Sequence, residues 1–232
     1  MLREAYSPRV RDYYMAYVNT NMVAVKALRI CGFDSLANDI QKNLMKNFGR
    51  YLKSNRWEVL TGVSIDDVPR NGIMVIIAKK NSITVAAELR NGTVMRDWEE
   101  YADWLLIESI NSAIKGNRAR AQILFNRAME MWDGQGFRDK SFRSTKLYDT
   151  YKLALAIYAY RLLGKPAKYS NETDTMMRIL ARAQDPTSGG VFTNYETING
   201  NTIFSENISD RNTETTSIVI LALYSQLTSS HQ

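Results

Sequence analysis

Three times in this chain an apolar helical stretch runs into a glycine, and an amphipathic stretch follows. Val18 to Cys31 stops at Gly32, Trp98 to Lys115 at Gly116, and Tyr148 to Leu163 at Gly164; a fourth apolar stretch, Thr213 to Leu227, meets the C-terminal end of the sequence. The third reads Leu153-Ala154-Leu155-Ala156-Ile157-Tyr158-Ala159-Tyr160 and the fourth Ile218-Val219-Ile220-Leu221-Ala222-Leu223-Tyr224. A helix with no polar face belongs inside a protein or a membrane, and spanning needs about 20 apolar residues, more than any of these supplies. Glycine just past each stretch is the left-handed residue that ends a helix without a Cβ penalty.

The partners differ in character. Asp34 is placed to cap a helix with Leu36, Ile40, Leu44 and Phe48 on one stripe, Asn117 one with Ala121, Leu124, Ala128 and Met131, and Thr173 one with Met176, Ile179, Leu180 and Ala183. One apolar stripe opposite a charged face describes a helix covered on one side. The unit is therefore a buried inner helix, a glycine turn, a half-exposed outer helix and a long loop. Stacked units of this kind make an α-solenoid or an (α/α) toroid, and the unequal loops argue against a regular solenoid. The expected fold is mainly α, with inner/outer hairpins forming a small, partial or open (α/α) toroid.

Two loops carry strand signals. Ile73 to Ala78 and Ile83 to Leu89 are rich in β-branched residues and are separated by Lys80-Asn81-Ser82; Asn199-Gly200 lies between Phe192–Tyr195 and Thr202–Phe204. Asn-Gly between such runs is a two-residue hairpin signal. The chain is thus expected to be one domain, 1–232, with a β-insert at about 71–96 and a β-hairpin at about 190–206.

Composition closes several routes to function. The single cysteine, Cys31, is expected to pack as a small hydrophobe, and the single histidine, His231, is the penultimate residue, so a Cys/His zinc site, a Ser-His-Asp triad and a Cys-His dyad are excluded. No metal site and no cofactor are implied. The net charge is +6, but the basic residues are scattered and form no dense block with interleaved aromatics, so there is no strong nucleic-acid signal. No membrane span is expected. No secretory leader is visible, which suits a cytoplasmic chain; sequons at Asn91, Asn171 and Asn207 suit an exported one whose leader has been removed, and the two locations stay open.

In a ring of hairpins every outer-to-inner loop arrives at the same end. Those loops are residues 54–97, 132–146 and 185–211, and they hold most of the polar and aromatic residues that could carry chemistry. Trp132-Asp133-Gly134-Gln135-Gly136-Phe137 precedes one inner helix; Ser188 to Tyr195, followed by Thr213 to Leu223, leads into another. On these segments the chain resembles the (α/α) toroid superfamily, which includes six-hairpin glycosidases, polysaccharide lyases and terpenoid cyclases. It departs from that pattern in being too short for six full hairpins, and in lacking a DxDD-type acid motif and the zinc ligands of protein prenyltransferases.

The expected site gathers Trp132, Asp133, Asp139, Tyr148, Asn194 and Tyr195 as ligand-binding residues, with Asp149 and Glu214 as the two carboxylates placed at inner-helix mouths. The function expected first is a non-catalytic domain binding a carbohydrate or a protein partner. The alternative is a glycoside hydrolase-like or polysaccharide-processing enzyme, whose chemistry needs one protonated and one ionised carboxyl group. Each residue also has a structural reading. Asp97 with Glu100 fits a capping box, Asp133 a turn, Asp139 beside Arg138 and Lys140 a surface ion pair, Asp149 and Glu214 first-turn acids, and the aromatic rings core packing.

Overall fold

The computed structural model describes residues 1–5, 14–52, 56–66, 68–89 and 92–225; Asn91, His231 and the end of the expected fourth helix lie outside them. The fold is mainly helical, with two small sheets of three strands each. The three glycine turns stand where the sequence places them. They join α1 (Val18–Ile30) to α2 (Asp34–Phe48), α3 (Ala102–Ile114) to α4 (Arg118–Met129), and, after a short α5 (Lys140–Thr145), α6 (Thr150–Leu162) to α7 (Ser170–Ala183). The last helix is α8 (Thr213–Tyr224).

Gly32, Gly116 and Gly164 have φ of +80°, +78° and +83°. In each turn the glycine N–H donates to one of the last helical carbonyls and the next residue's N–H donates further back, as in Gly164 to Arg161 and Lys165 to Tyr160. This double bond pattern satisfies carbonyls that would otherwise end the helix without partners. One local solution is therefore used three times.

Burial separates the helices as their patterns require. Leu105, Leu106, Ile107 and Ile110 of α3 and Leu153 and Leu155 of α6 are fully buried. Each such side chain contributes about 1.5–3 kcal/mol relative to exposure. The outer helices bury one stripe: Ala121, Leu124, Phe125 and Ala128 on α4, and Thr173, Met176, Ile179, Leu180 and Ala183 on α7. The buried stripe of α2 is Ala37, Ile40 and Leu44, while Leu36 is 45% exposed.

Asn117 caps α4 by accepting from the Arg120 N–H, but two other expected caps are corrected. Phe33 holds the cap position of α2, and Thr173 lies inside α7 with its hydroxyl donating to Tyr169 O at 2.7 Å. Trp98–Glu100 is a separate 3-10 turn in which Asp97 makes no side-chain cap, so the capping-box expectation fails too. Cys31 is exposed rather than packed, because it is the C-cap of α1, where the chain leaves the core for the Gly32 turn.

The inner helices pack side by side: α3 on α6, α6 on α8, and α8 on α1. A 3-10 segment, Arg56–Thr61, packs against both α1 and α3 with Trp57, Val59 and Leu60 buried. The first sheet has order β1-β3-β2, with β1 (Met15–Tyr17) parallel to β3 (Ile83–Leu89) and β2 (Ile73–Lys80) antiparallel to it. The second has order β4-β5-β6, from β4 (Tyr148–Asp149), β5 (Asn194–Ile198) and β6 (Asn201–Ile203). Both hairpins turn on two residues of positive φ, Asn81-Ser82 and Asn199-Gly200. Such turns match the right-handed twist of their strands. No helix among the described residues is long and apolar enough to cross a membrane.

Candidate functional site: the mouth of the inner helices

An inner helix that is apolar along its length must still begin somewhere, and its first turn exposes N–H groups that need acceptors. In this chain those first turns also carry the polar residues: Asn19, Thr20 and Asn21 on α1, Asp103 on α3, Thr150 to Lys152 on α6, and Glu214 and Thr215 on α8. They lie at one end of the helix group. The Tyr151 hydroxyl donates to Asp103 Oδ2 at 3.0 Å, joining α6 to α3, and the Thr20 hydroxyl reaches Glu214 Oε2 at 3.4 Å, joining α1 to α8.

Arg56 ties these turns together. Its Nη1 lies 3.2 Å from Asp103 Oδ2, and its guanidinium packs over the Trp57 ring, 4.5 Å from the centroid. Burial works against its charge, but Glu88, Asp103, Tyr151 and Glu214 around it outweigh burial and raise its pKa. The same burial raises the Glu214 carboxyl, and Glu88 adds to the rise; Arg56, with hydrogen bonds from Trp57 and Thr20, opposes it. Burial, reinforced by Asp103, raises the Tyr151 phenol well above its ordinary value, so this hydroxyl is a donor at neutral pH.

A second charged knot adjoins the first. Lys152, 1% exposed, sits with Nζ 2.6 Å from Asp139 Oδ2, 2.7 Å from Asp149 Oδ2 and 2.9 Å from Ser141 Oγ. Its desolvation is outweighed by Asp103, Asp149 and Asp139, which raise its pKa and keep it charged. Asp139 is itself 1% exposed; it accepts from the Ala102 and Phe142 N–H groups and so fixes the starts of α3 and α5 at once. The surface-ion-pair reading of Asp139 is therefore corrected: its cation is Lys152 across the fold, not its neighbours in sequence. Asp149 is held by three donors, with Ser141 Oγ and Asn194 Nδ2 each at 2.7 Å beside Lys152.

The other expected residues gather on the adjoining sheet. Register places Tyr148 opposite Tyr195 and Asp149 opposite Asn194, and the Tyr195 hydroxyl donates to Gln135 O, so the loops at 132–146 and 185–211 touch. Asp133 makes a turn, its Oδ1 accepting from the Gln135 and Gly136 N–H groups. Burial opposes its charge, but those bonds, Tyr148 and Arg138 lower its pKa. Tyr148 stacks between Phe142 and Tyr195 at 4.4 and 5.3 Å, and Tyr195 packs on Phe204 at 5.2 Å, so neighbouring rings already lie against both. Their hydroxyls donate to Asp133 Oδ2 and Gln135 O. Trp132 is half-buried edge-on to Phe137. Glu214 stands apart from this sheet, in the Arg56 cluster.

Arg56, Asp103, Tyr151 and Lys152 were not expected as site residues. A signal was present: an acid and a lysine inside otherwise apolar helices must find partners once buried. Among the described residues no three His, Cys, Asp or Glu side chains come close enough to hold a metal ion. A mainly apolar groove of about 550 Å³, between Leu2–Ala5, α1 and α8, borders the start of α8 at Asn212 and Thr213 but is lined by none of the Arg56 and Lys152 cluster. No protein-family model matches the chain, and neither a curated protein nor a solved structure does.

Proposed function

We propose that the chain is a small (α/α) toroid that binds carbohydrate at the inner-helix mouth without transforming it. The ring reading is supported by the succession α3, α6, α8, α1, with the Arg56–Thr61 segment linking α1 back to α3. The observation that carries the binding reading is repeated on all four first turns. Asn19 Nδ2, Asp103 Oδ1, Thr150 Oγ1 and Thr215 Oγ1 are buried, and each lacks a hydrogen-bond partner. An unmet buried polar group costs about 1–3 kcal/mol. Hydroxyls of a sugar, each both donor and acceptor, are suited to meeting such a mixed set.

The test exploits that cost. Thr150→Val with Thr215→Val keeps shape and removes two hydroxyls that have no partner. The double variant is expected to melt at or above the parent temperature and to lose at least about tenfold in affinity for an oligosaccharide bound by the parent. Unchanged affinity, or a parent that binds no glycan in a broad panel, overturns the reading.

One observation favours a second reading, glycoside hydrolysis by paired carboxylates: burial favours the protonated form of the Glu214 carboxyl, as a general acid requires. Asp149, expected as its partner, is engaged by three donors, whereas Asp103 shares Arg56 with Glu214. Hydrolysis of a bound oligosaccharide that disappears in Glu214→Gln would establish this reading.

A further inference from the structure

The charge of the mouth runs against that of the chain. The whole sequence carries +6, yet at the mouth Glu88, Asp103, Asp139 and Asp149, with the Glu214 carboxyl that burial shifts towards its protonated form, stand around Arg56 and Lys152. Lys152 pairs with Asp139 and Asp149 and also faces Asp103, which together with Glu88 and Glu214 surrounds Arg56. Some first-turn N–H groups are already taken: Ala102 donates to Asp139, Thr150 to Thr193 O, Thr213 to Glu4 O and Thr215 to Asn212.

Two buried side chains leave polar atoms in this cluster. Asp103 is 5% exposed, and while Oδ2 accepts from Arg56 and Tyr151, Oδ1 has no partner. Asn19 is 3% exposed; its Oδ1 accepts from the Glu88 N–H at 2.7 Å, leaving Nδ2 unpartnered. Among the described residues no three carboxylates converge closely enough to hold a metal ion, whereas the unpartnered Asp103 Oδ1 offers a single anionic acceptor of the kind an ammonium group meets. Attraction between opposite charges grows as water is excluded, which is the condition around Asp103.

We propose that the mouth selects a sugar carrying a protonated amine, with the ammonium held by the Asp103 side of the cluster and hydroxyls met by Asn19 and its neighbours. The inference rests on the mouth being the carbohydrate site. Calorimetric titration of the full chain with three oligosaccharide series tests it: chitosan oligomers (cationic), cello-oligosaccharides (neutral) and oligogalacturonates (anionic), at low and raised ionic strength. The cationic series is expected to bind at least about tenfold more tightly than the neutral one, to lose that advantage in salt, and to exceed an anionic series that does not bind measurably. Equal affinity for cationic and neutral oligomers, or preference for the anionic series, overturns the charge selectivity while leaving the sugar site standing. No binding by any series, or in the broad panel above, removes the site and this inference with it. Asp103→Asn should shrink the cationic advantage severalfold; because it disturbs a buried pair, Glu88→Gln is measured beside it and should shrink the advantage in the same direction. An undiminished advantage in both variants, each shown folded by its circular dichroism, overturns the placement.

Discussion

Lys152→Met should be among the most damaging single substitutions in the chain. The methionine preserves the length and apolar stem but removes the charge. Asp139, whose side chain is fully buried, then loses a partner at 2.6 Å, and Asp149 loses one at 2.7 Å. Deleting one member of a buried pair strands the other charge and costs about 3–5 kcal/mol. That is a large share of the roughly 5–15 kcal/mol that holds a domain together. With a urea slope of about 3 kcal/mol per molar, the unfolding midpoint should fall by about 1 M or more. Lys152→Met with Asp139→Asn should recover part of the loss, giving a coupling of about 2 kcal/mol in a double-mutant cycle. The raised Lys152 pKa fixes the sign of the pH dependence. The pair's contribution is fully present below the unfolded value of 10.5 and disappears as pH rises through the higher folded value, so the deficit of the variant should persist across the neutral range. A loss under about 1 kcal/mol, or strict additivity in the cycle, would refute the reasoning.

Gly164→Ala and Gly164→Val should each cost about 1 kcal/mol in chemical denaturation, and by similar amounts, because the strain lies in φ of +83° and the nearest atom to an added Cβ is Arg118 Nη2 at 3.9 Å. Gly136→Ala is different in kind: its Cβ would fall 2.1 Å from Tyr148 Cδ1, so Tyr148 must leave its stack, at about 1–3 kcal/mol, with a changed near-UV circular dichroism signal. Glu214→Gln tests the raised carboxyl. A folded-state pKa above 4.5 means that stability from this group is present below pH 4.5 and lost as pH rises through the folded value. The variant should therefore melt higher than the parent at neutral pH, the gap closing towards pH 4.5; a lower melting temperature at neutral pH would contradict the shift.

What was legible in the sequence was whatever repeats over short distances. The glycine turns are fixed by a positive φ that only a few neighbouring residues demand, and the two hairpins by turn residues flanked by β-branched runs. The inner helices declare themselves because burial on all sides leaves no polar face to misread. Leu36 shows where this kind of reading thins out: Leu36, Ile40 and Leu44, spaced four and four, fit a helix stripe as well as Ala37, Ile40 and Leu44, spaced three and four, and only packing chooses between them. β1 and β4 are too short to show a period, and each exists because a distant strand pairs with it. The Arg56–Thr61 segment has neither helical nor strand period, so its wedge between α1 and α3 was invisible.

The candidate site divides along the same line. The positions of Glu214 and Asp149 at helix starts were legible because the inner-helix starts could be located, and the Asp133 turn because an Asp-Gly pair turns. Asp139 was misread because Arg138 and Lys140 flank it, while the lysine that holds it stands 13 residues on. Linear neighbours say little about charge pairing once a chain folds back. Asp103 and Lys152 were the overlooked clues, since ionisable groups in otherwise apolar helices are costly to bury without one another.

The central claim is that ligand is held at the mouth of the inner helices. Hydrogen exchange read by mass spectrometry, with and without a saturating amino-sugar oligomer, tests it most directly. The predicted result is slowed exchange concentrated in Asn19–Asn21, Arg56–Thr61, Ala102–Trp104, Asp149–Lys152 and Thr213–Thr215. Protection confined to the far wall of the groove, Ala24 to Phe33 and Ser188 to Gly190, or to the Tyr148–Tyr195 sheet, would contradict it.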